Sequence, residues 1–360
     1  METLNVKETN FLNEWIESGT LISSGVGRLL IGWGKRRWLK SPSTDTAIPS
    51  FYFPDFFLKA KTPWFVHEHY REISLKELLQ GLVREMRMQS KTYKWTNPYQ
   101  ELFEKTFLSL QQKFAAKEID KAVPFVYEKA QIPMSQEQLM QSLVSVLNYS
   151  MVNPVYLYGF WDKQEGVLGA TPEVLFKLNE EKTLETMACA GTMSTKGDSS
   201  SFLKDPKELH EHQLVVDGMK DSLAGFGKVH VDAIKLLKLS RLVHLVTPIT
   251  VSIETKPAFE SIVKALHPTP AVGTFPRKQG KEWLDEYQKH IDRKRFGAPV
   301  GFVFPESKQA SCYVSIRNMQ WDEKEIRICA GCGLVAASQC AREWAEINLK
   351  LQAIKEMLAL

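Results

Sequence analysis

The sequence predicts an α/β protein with large, mostly antiparallel sheets. Three observations carry this. Long β-rich stretches follow one another across short turns, amphipathic helices are interleaved with them, and the regular strand–helix–strand alternation of a parallel doubly wound sheet is missing. "VYLYGFWDKQEGVLGA" (155–170) and "EVLFKLNEEKTLETMACAGT" (173–192) read as hairpins. "IDKAVPFVYEKA", "RLVHLVTPITVSI", "APVGFVF", "SCYVSIRNMQW" and "EIRICAGC" are further β-rich segments. Residues 21–70 read as short strands and turns, and "VGRLLIGWGKRRWLK" (26–40) as two strands joined at Gly32-Trp33-Gly34.

Helical periodicity runs through "SLKELLQGLVREMRMQ" (74–89) and "PYQELFEKTFLSLQQKFAAKE" (98–118), the latter with Pro98 at its start. It recurs in "SQEQLMQSLVSVLN", where Ser135 and Gln138 have capping-box spacing. "DPKELHEHQLVVDGMKDSLAG" (205–225) has Pro206 early and Gly225 late, and "SQCAREWAEINLKLQAIKEMLAL" (338–360) closes the sequence as a helix.

At 360 residues with 44% hydrophobic and 24% charged side chains, the composition is that of a soluble globular protein. A net charge of +4, from 46 basic and 42 acidic groups, calls for neither nucleic acid nor membrane. "METLNVKETNFLNEWIES" does not read as a signal peptide, and no stretch reaches the roughly 20 apolar residues of a membrane span. Five cysteines, an odd number, point to reduced thiols and a cytoplasmic setting. No Gly/Ser or Pro-rich linker divides the sequence, so residues 1–360 are read as one domain.

Several patterns suggest sites. Cys329-x-x-Cys332 with Cys340 offers three thiolates, but no second ligand pair lies near, and buried packing is the plainer reading. His210 and His212 are two apart on a helix and do not face each other. His67 and His69 share a face if their segment is a strand, with no further ligand suggested. Lys35-Arg36-Arg37-Trp38 reads as a solvated strand edge rather than an anion patch.

Carboxylates are more informative. Glu208 and Glu211 lie three apart on one helix, Glu343 and Glu346 three apart on another. Two helices could each present a carboxylate pair to one hard cation such as Mg²⁺, although spacing alone equally fits two solvated charged faces. Glycine turns follow apolar strands in "AGT" (190–192) and "AGCG" (330–333), where backbone N–H groups could approach an anion. Arg317 ends the apolar run "CYVSIR", placed to grip a carboxylate.

Taken in order, "DKAVP", "LGATPEVLF", "ETMACAGT", "HEHQLVVDGMKDSL", "VHLVTP", "LHPTPAVGTFPR", "DRKRFGAPVGF", "YVSIRNM" and "CAGCGLV…EWAEINLK" resemble the chorismate-utilising enzymes, the anthranilate synthase component I-like family. The resemblance spans residues 117–350, and residues 1–110 correspond to the family's variable N-terminal part. It implies two large antiparallel sheets packed face to face with helices outside. It is most similar to isochorismate synthases, with salicylate synthase, anthranilate or aminodeoxychorismate synthase, and a non-catalytic chorismate-binding relative as alternatives.

By matching position, the resemblance implies Glu211 and Glu346 as Mg²⁺ ligands, with Glu208 and Glu343 holding metal-bound waters. Lys121 matches a lysine that activates water, and Glu173 a general acid that must hold its proton. Arg317 and Lys350 match groups for the substrate carboxylates, Gly191, Thr192 and Gly333 a backbone cradle, and His244 a histidine near the substrate ring. Ala190 stands where aminodeoxychorismate synthases carry a lysine. Pro124, Val126 and Thr274 depart from the commonest isochorismate synthase pattern. The implied substrate is chorismate, with no obligate glutaminase subunit and a monomeric or homodimeric state.

Overall fold

A computed structural model of the chain describes residues 6–85, 93–179, 182–304 and 309–360. Sixteen strands form one continuous sheet among these residues, and every pairing in it is antiparallel. From one edge the order is Gly227–Val231, Leu242–Ile253, Thr183–Ser194, Val174–Leu178, Gln309–Val314 and Pro299–Phe304. Ser50–Tyr52, Trp64–Ser74, Arg28–Leu39 and Gly19–Gly25 come next. Tyr156–Trp161, Gly166–Thr171, Asn318–Trp321, Ile326–Gly331 and Phe125–Ala130 complete the path, while Lys235–Lys238 also pairs with Leu242–Ile253.

The expected face-to-face packing comes about by the sheet folding back on itself. Its inner layer is aromatic: Phe51, Phe53, Phe65, Tyr158, Phe160, Phe302 and Tyr313 are all buried in one cluster. Tyr156 and Tyr313 stack at 4.7 Å, and the Tyr313 hydroxyl donates to the Ser23 carbonyl at 2.7 Å. Both contacts join strands that are far apart in the hydrogen-bonded path. Helices cover the outer faces. Val6–Glu17, Leu75–Glu85, Gln100–Ala115, Gln136–Val152 and Cys340–Leu358 pack on one half, Pro206–Leu223 and Phe259–Leu266 on the other. None of the described helices is long and apolar enough to cross a membrane.

Most predicted elements are present. The Ser135 side chain accepts from Gln138 N at 3.2 Å and caps its helix. The helix predicted over 74–89 is seen as Leu75–Glu85, and residues 86–89 lie outside the described part. The turn of the 173–192 hairpin, at residues 180–181, also lies outside it.

Two expectations are corrected. Residues 26–40 do not form two strands joined at Gly32-Trp33-Gly34. Arg28–Leu39 is one strand, and its pairing with Trp64–Ser74 shifts register between Trp33 and Arg36. The glycines serve a bulge rather than a turn: Gly34 sits at φ +76°, which a side chain adopts only with strain. That strand is also central rather than an edge, and Arg36 is not solvated. Its guanidinium donates to the Trp161 carbonyl at 2.8 Å and to Asp162 at 3.2 Å. It lies about 5 Å from the Phe65 and Phe160 ring centres, at 5.0 and 5.1 Å. Alanine at Gly34 is expected to destabilise the protein by about 1 kcal/mol, read as a lower urea midpoint with an unchanged slope.

Candidate active site

Two helix N-termini meet over one end of the sheet. Asp205 caps the helix Pro206–Leu223, accepting from Lys207 N and Glu208 N at 3.0 and 3.2 Å, with proline in the first turn. Arg342, in the first turn of Cys340–Leu358, donates to Asp205 and to Glu208, each at 2.9 Å. This contact pins the two helices together, so the i, i+3 carboxylate pairs on each face one another.

Between them lies a lysine. Lys207 Nζ stands 2.9 Å from Glu211 Oε2, 3.0 Å from Glu343 Oε1 and 3.3 Å from Glu208 Oε1. Lys121 Nζ is 3.5 Å from Glu211 Oε1, and Lys350 Nζ is 2.6 Å from Glu346 Oε1. Burial works to raise Glu211, but the Lys207 ammonium, with Lys121 beside it, overcomes it and holds it at about 2. Glu208 and Glu343 are pushed up to about 7 by burial, which Lys207 only partly offsets, and by neighbouring carboxylates. Burial opposes charge on Lys207 as well, yet the surrounding glutamates together raise its pKa.

The cleft beside this cluster is lined by Glu173, Gly191, Thr192, Glu211, His244, Arg317, Gly333, Glu346 and Lys350. Nine of the twelve sequence-predicted residues thus line one cleft. Lys121, Glu208 and Glu343 stand behind it. Lys121 is fully buried, donates to the Pro270 carbonyl at 2.7 Å and lies behind the lining residues Glu211 and Gly333. Burial lowers its pKa, against the pull of Glu211. Burial raises Glu173 to about 7, although Lys121 pulls the other way. The hydroxyl of Thr269 donates to Glu173 Oε1 at 3.5 Å.

Opposite the carboxylates, Arg317 occupies the left-handed region at φ 56°, three residues beyond the end of its strand at Val314. Its Nη2 lies 3.2 Å from His244 Nε2. Arginine can only donate, so Nε2 must be the bare nitrogen and Nδ1 carries the proton. Nδ1 then donates to the Gly191 carbonyl at 3.1 Å. Burial and the Arg317 charge keep His244 neutral, well below its usual value. Arg317 makes no salt bridge among the described residues, and its Nε has no partner there. It offers an unneutralised, oriented guanidinium to an anion.

The remaining motifs are structural. The five cysteines are free thiols, and all but Cys340 are buried. His212 bonds to Thr247 at 2.8 Å while His210 is exposed. His67 bonds to Thr20 at 2.8 Å while His69 is exposed.

As the side chains stand, no three His, Cys, Asp or Glu among the described residues gather tightly enough to hold a metal. The donor set nonetheless suits a hard dication: three glutamates converge on the Lys207 ammonium, and a fourth, Glu346, stands beside them on Lys350. Glu208 Oε2 and Glu343 Oε2 accept no hydrogen bond among the described residues, and Glu343 Oε1 meets the Lys207 ammonium.

Comparison with known proteins decides the family: the model for chorismate binding enzymes matches residues 64–359. The chain belongs to that family. This chorismate-binding enzyme is 35% identical over 201 residues to the salicylate biosynthesis isochorismate synthase of Pseudomonas aeruginosa, covering 53% of this chain but only 42% of that protein. It is 26% identical over 339 residues to isochorismate synthase EntC of Escherichia coli, covering 91% of this chain and 83% of EntC. Among solved structures, the menaquinone-specific isochorismate synthase MenF of Escherichia coli superposes with a TM-score of 0.79 at 17% identity, over 99% of this chain and 92% of that one. Anthranilate synthase component I of Streptococcus pneumoniae gives 0.70 at 16%, over 94% and 89%. These structural likenesses establish the fold.

Sequence reading missed Lys207, Phe296 and Arg293. Lys207 carried a signal, since it neighbours Glu208 and lies four residues before Glu211 on the same helix face. Phe296, which lines the cleft, and Arg293 fell within "DRKRFGAPVGF" but bore no pattern of their own.

Gly333 leaves Lys121 its way in. A Cβ there would stand 1.9 Å from Glu211 Oε1 and 2.7 Å from Lys121 Nζ. Gly333→Ala is expected to fold but to bind chorismate at least tenfold more weakly by calorimetry. Wild-type affinity would show that position 333 does not shape the substrate site.

Proposed function

We propose that this chain is an isochorismate synthase, adding water at C2 of chorismate as the C4 hydroxyl leaves. The observation that carries the reading is the pair Lys121 and Glu173, buried at one cleft, each pushed towards its neutral form. The names of the relatives and the matching motifs support it. Water is a poor nucleophile and hydroxide a poor leaving group, so a base and an acid are both required. Neutral Lys121 takes a proton from the attacking water. Protonated Glu173 gives one to the departing hydroxyl, which leaves as water while the ring double bonds shift. Atoms and charge balance, and solvent restores both groups.

Arg317 and Lys350 would hold the substrate carboxylates, with Gly191, Thr192 and Gly333 offering backbone and His244 orienting Arg317. Glu211 and Glu346 would hold Mg²⁺, and Glu208 and Glu343 its waters. When bound, that ion would neutralise a substrate carboxylate beside the cluster. The product would feed menaquinone, siderophore or salicylate synthesis, as the relatives' names suggest, and the setting would be cytoplasmic. The substrate would be a small molecule, with no obligate glutaminase subunit, in a monomer or homodimer.

Purified protein with chorismate and Mg²⁺, products separated by chromatography and pyruvate assayed in parallel, tests the reaction. Isochorismate without pyruvate is expected; salicylate with pyruvate, or no product, would overturn it. In that assay Lys121→Ala is expected to lose about 10²- to 10⁴-fold in kcat while still binding chorismate.

Glu173 gives a second test. Its folded value, about 7, lies above the unfolded value, so the folded state holds the proton more tightly. Stability therefore falls as pH rises from about 4.5 to about 7, by roughly 3 kcal/mol in all. Glu173→Gln removes that dependence. It is expected to be inactive yet more stable than wild type at pH 8 by denaturant titration.

The cation site can be read without activity. Lys207→Met leaves the carboxylates without their shared ammonium and is expected to cost about 3–5 kcal/mol. Millimolar Mg²⁺ should then raise the variant's Tm more than the wild type's, against a control of equal ionic strength. An equal shift in both would argue against these glutamates as metal ligands.

A further inference from the structure

A buried arginine outside the cleft is unaccounted for by this chemistry. Arg293 is 2% exposed, and no carboxylate lies within ion-pair distance of it among the described residues. Its guanidinium is packed against aromatic rings, 4.0 Å from the centre of Phe56 and 4.5 Å from that of Phe125. A buried cation without an anion is costly, and cation–π contacts recover only part of that cost. Its polar contacts show what it does there. Nη1 donates to the Val272 carbonyl at 2.7 Å, and Nη2 to the Val123 carbonyl at 3.2 Å.

Those two carbonyls belong to the two segments that hold the proposed base and acid. Val123 is two residues after Lys121. Val272 is two residues after Pro270, whose carbonyl accepts from Lys121 Nζ. Val272 also closes a turn on Thr269, its N–H donating to the Thr269 carbonyl at 3.1 Å, and Thr269 reaches Glu173. The Val123 N–H, in turn, donates to the Gly273 carbonyl at 2.9 Å. The Val123 residue is therefore fixed on both sides, by Gly273 through its nitrogen and by Arg293 through its oxygen.

We propose that Arg293 is a positioning residue for the reaction: by clamping the Lys121 segment to the Thr269–Gly273 segment, it sets the spacing between Lys121 and Glu173. A fork of two N–H donors is needed for this, because the acceptors sit on different segments. Lysine could satisfy one of them and an apolar side chain neither. Arg293 does not line the cleft. Its loss should therefore misplace the reacting groups more than it weakens substrate binding.

The inference rests on the proposed roles of Lys121 and Glu173, and its test separates the two. Wild type, Arg293→Lys and Arg293→Met are compared for chorismate turnover, for chorismate affinity by calorimetry and for Tm. Expected are a kcat about a hundredfold lower in the methionine variant, an intermediate loss in the lysine variant, and KM and affinity within threefold of wild type. A methionine variant as fast as an active wild type overturns the inference alone. So does a loss in which KM rises as much as kcat falls. If the methionine variant does not fold, the lysine variant decides: a kcat at least tenfold lower at unchanged KM supports the clamp, and wild-type kcat overturns it. A wild type that leaves chorismate untouched overturns the proposed reaction, and this inference with it.

Discussion

Three buried carboxylates and a fourth, half-buried one set side by side must be neutralised, and the arrangement of the site follows from that demand. Like charges at this distance in a protein interior repel strongly, and each pays for its own desolvation. Lys207 meets Glu208, Glu211 and Glu343 at once, Lys350 takes Glu346, and Arg342 ties Glu208 back to the neighbouring helix. The same contacts fix where the two helices sit over the sheet end. Electrostatic neutrality and helix placement are thus one interaction, and the cleft is the space left beside it.

Across the cleft the pattern reverses. Among the described residues Arg317 is buried without a carboxylate and braced by a neutral histidine, and Arg293 is buried without one behind the cleft. One side of the cavity is self-neutralised and the other is left with surplus positive charge. An anionic substrate finds its complement on the Arg317 side, while the carboxylate side is suited to cations.

What could be read from the sequence follows the range of each interaction. Glu208 with Glu211, and Glu343 with Glu346, were legible because helix periodicity is local and puts residues three apart on one face. Their convergence was not, since it depends on Arg342 reaching a residue 134 positions away. Gly32-Trp33-Gly34 misled because glycines serve turns and bulges alike; only a partner strand running past both sides decides. Arg36 misled because three aromatic rings that bury it, those of Trp38, Phe65 and Phe160, come together only when the sheet folds. Motif resemblance pointed to Glu173, Gly191, His244 and Arg317, which the fold brings to one cleft, whereas the His244 tautomer and the left-handed backbone of Arg317 depend on contacts made only in the folded chain.

The sheet's strand order has a further consequence for how the protein reaches its native state. The four strands between residues 19 and 74 occupy the middle of the path, flanked by Pro299–Phe304 on one side and Tyr156–Trp161 on the other. The edge strand Phe125–Ala130 waits for Ile326–Gly331, about two hundred residues later. Contacts of such sequence separation make for slow folding, because loop closure must be paid before pairing rewards it. During synthesis the earliest strands emerge long before one of their permanent neighbours. Their exposed edges are open to mispairing until residues 299–304 arrive.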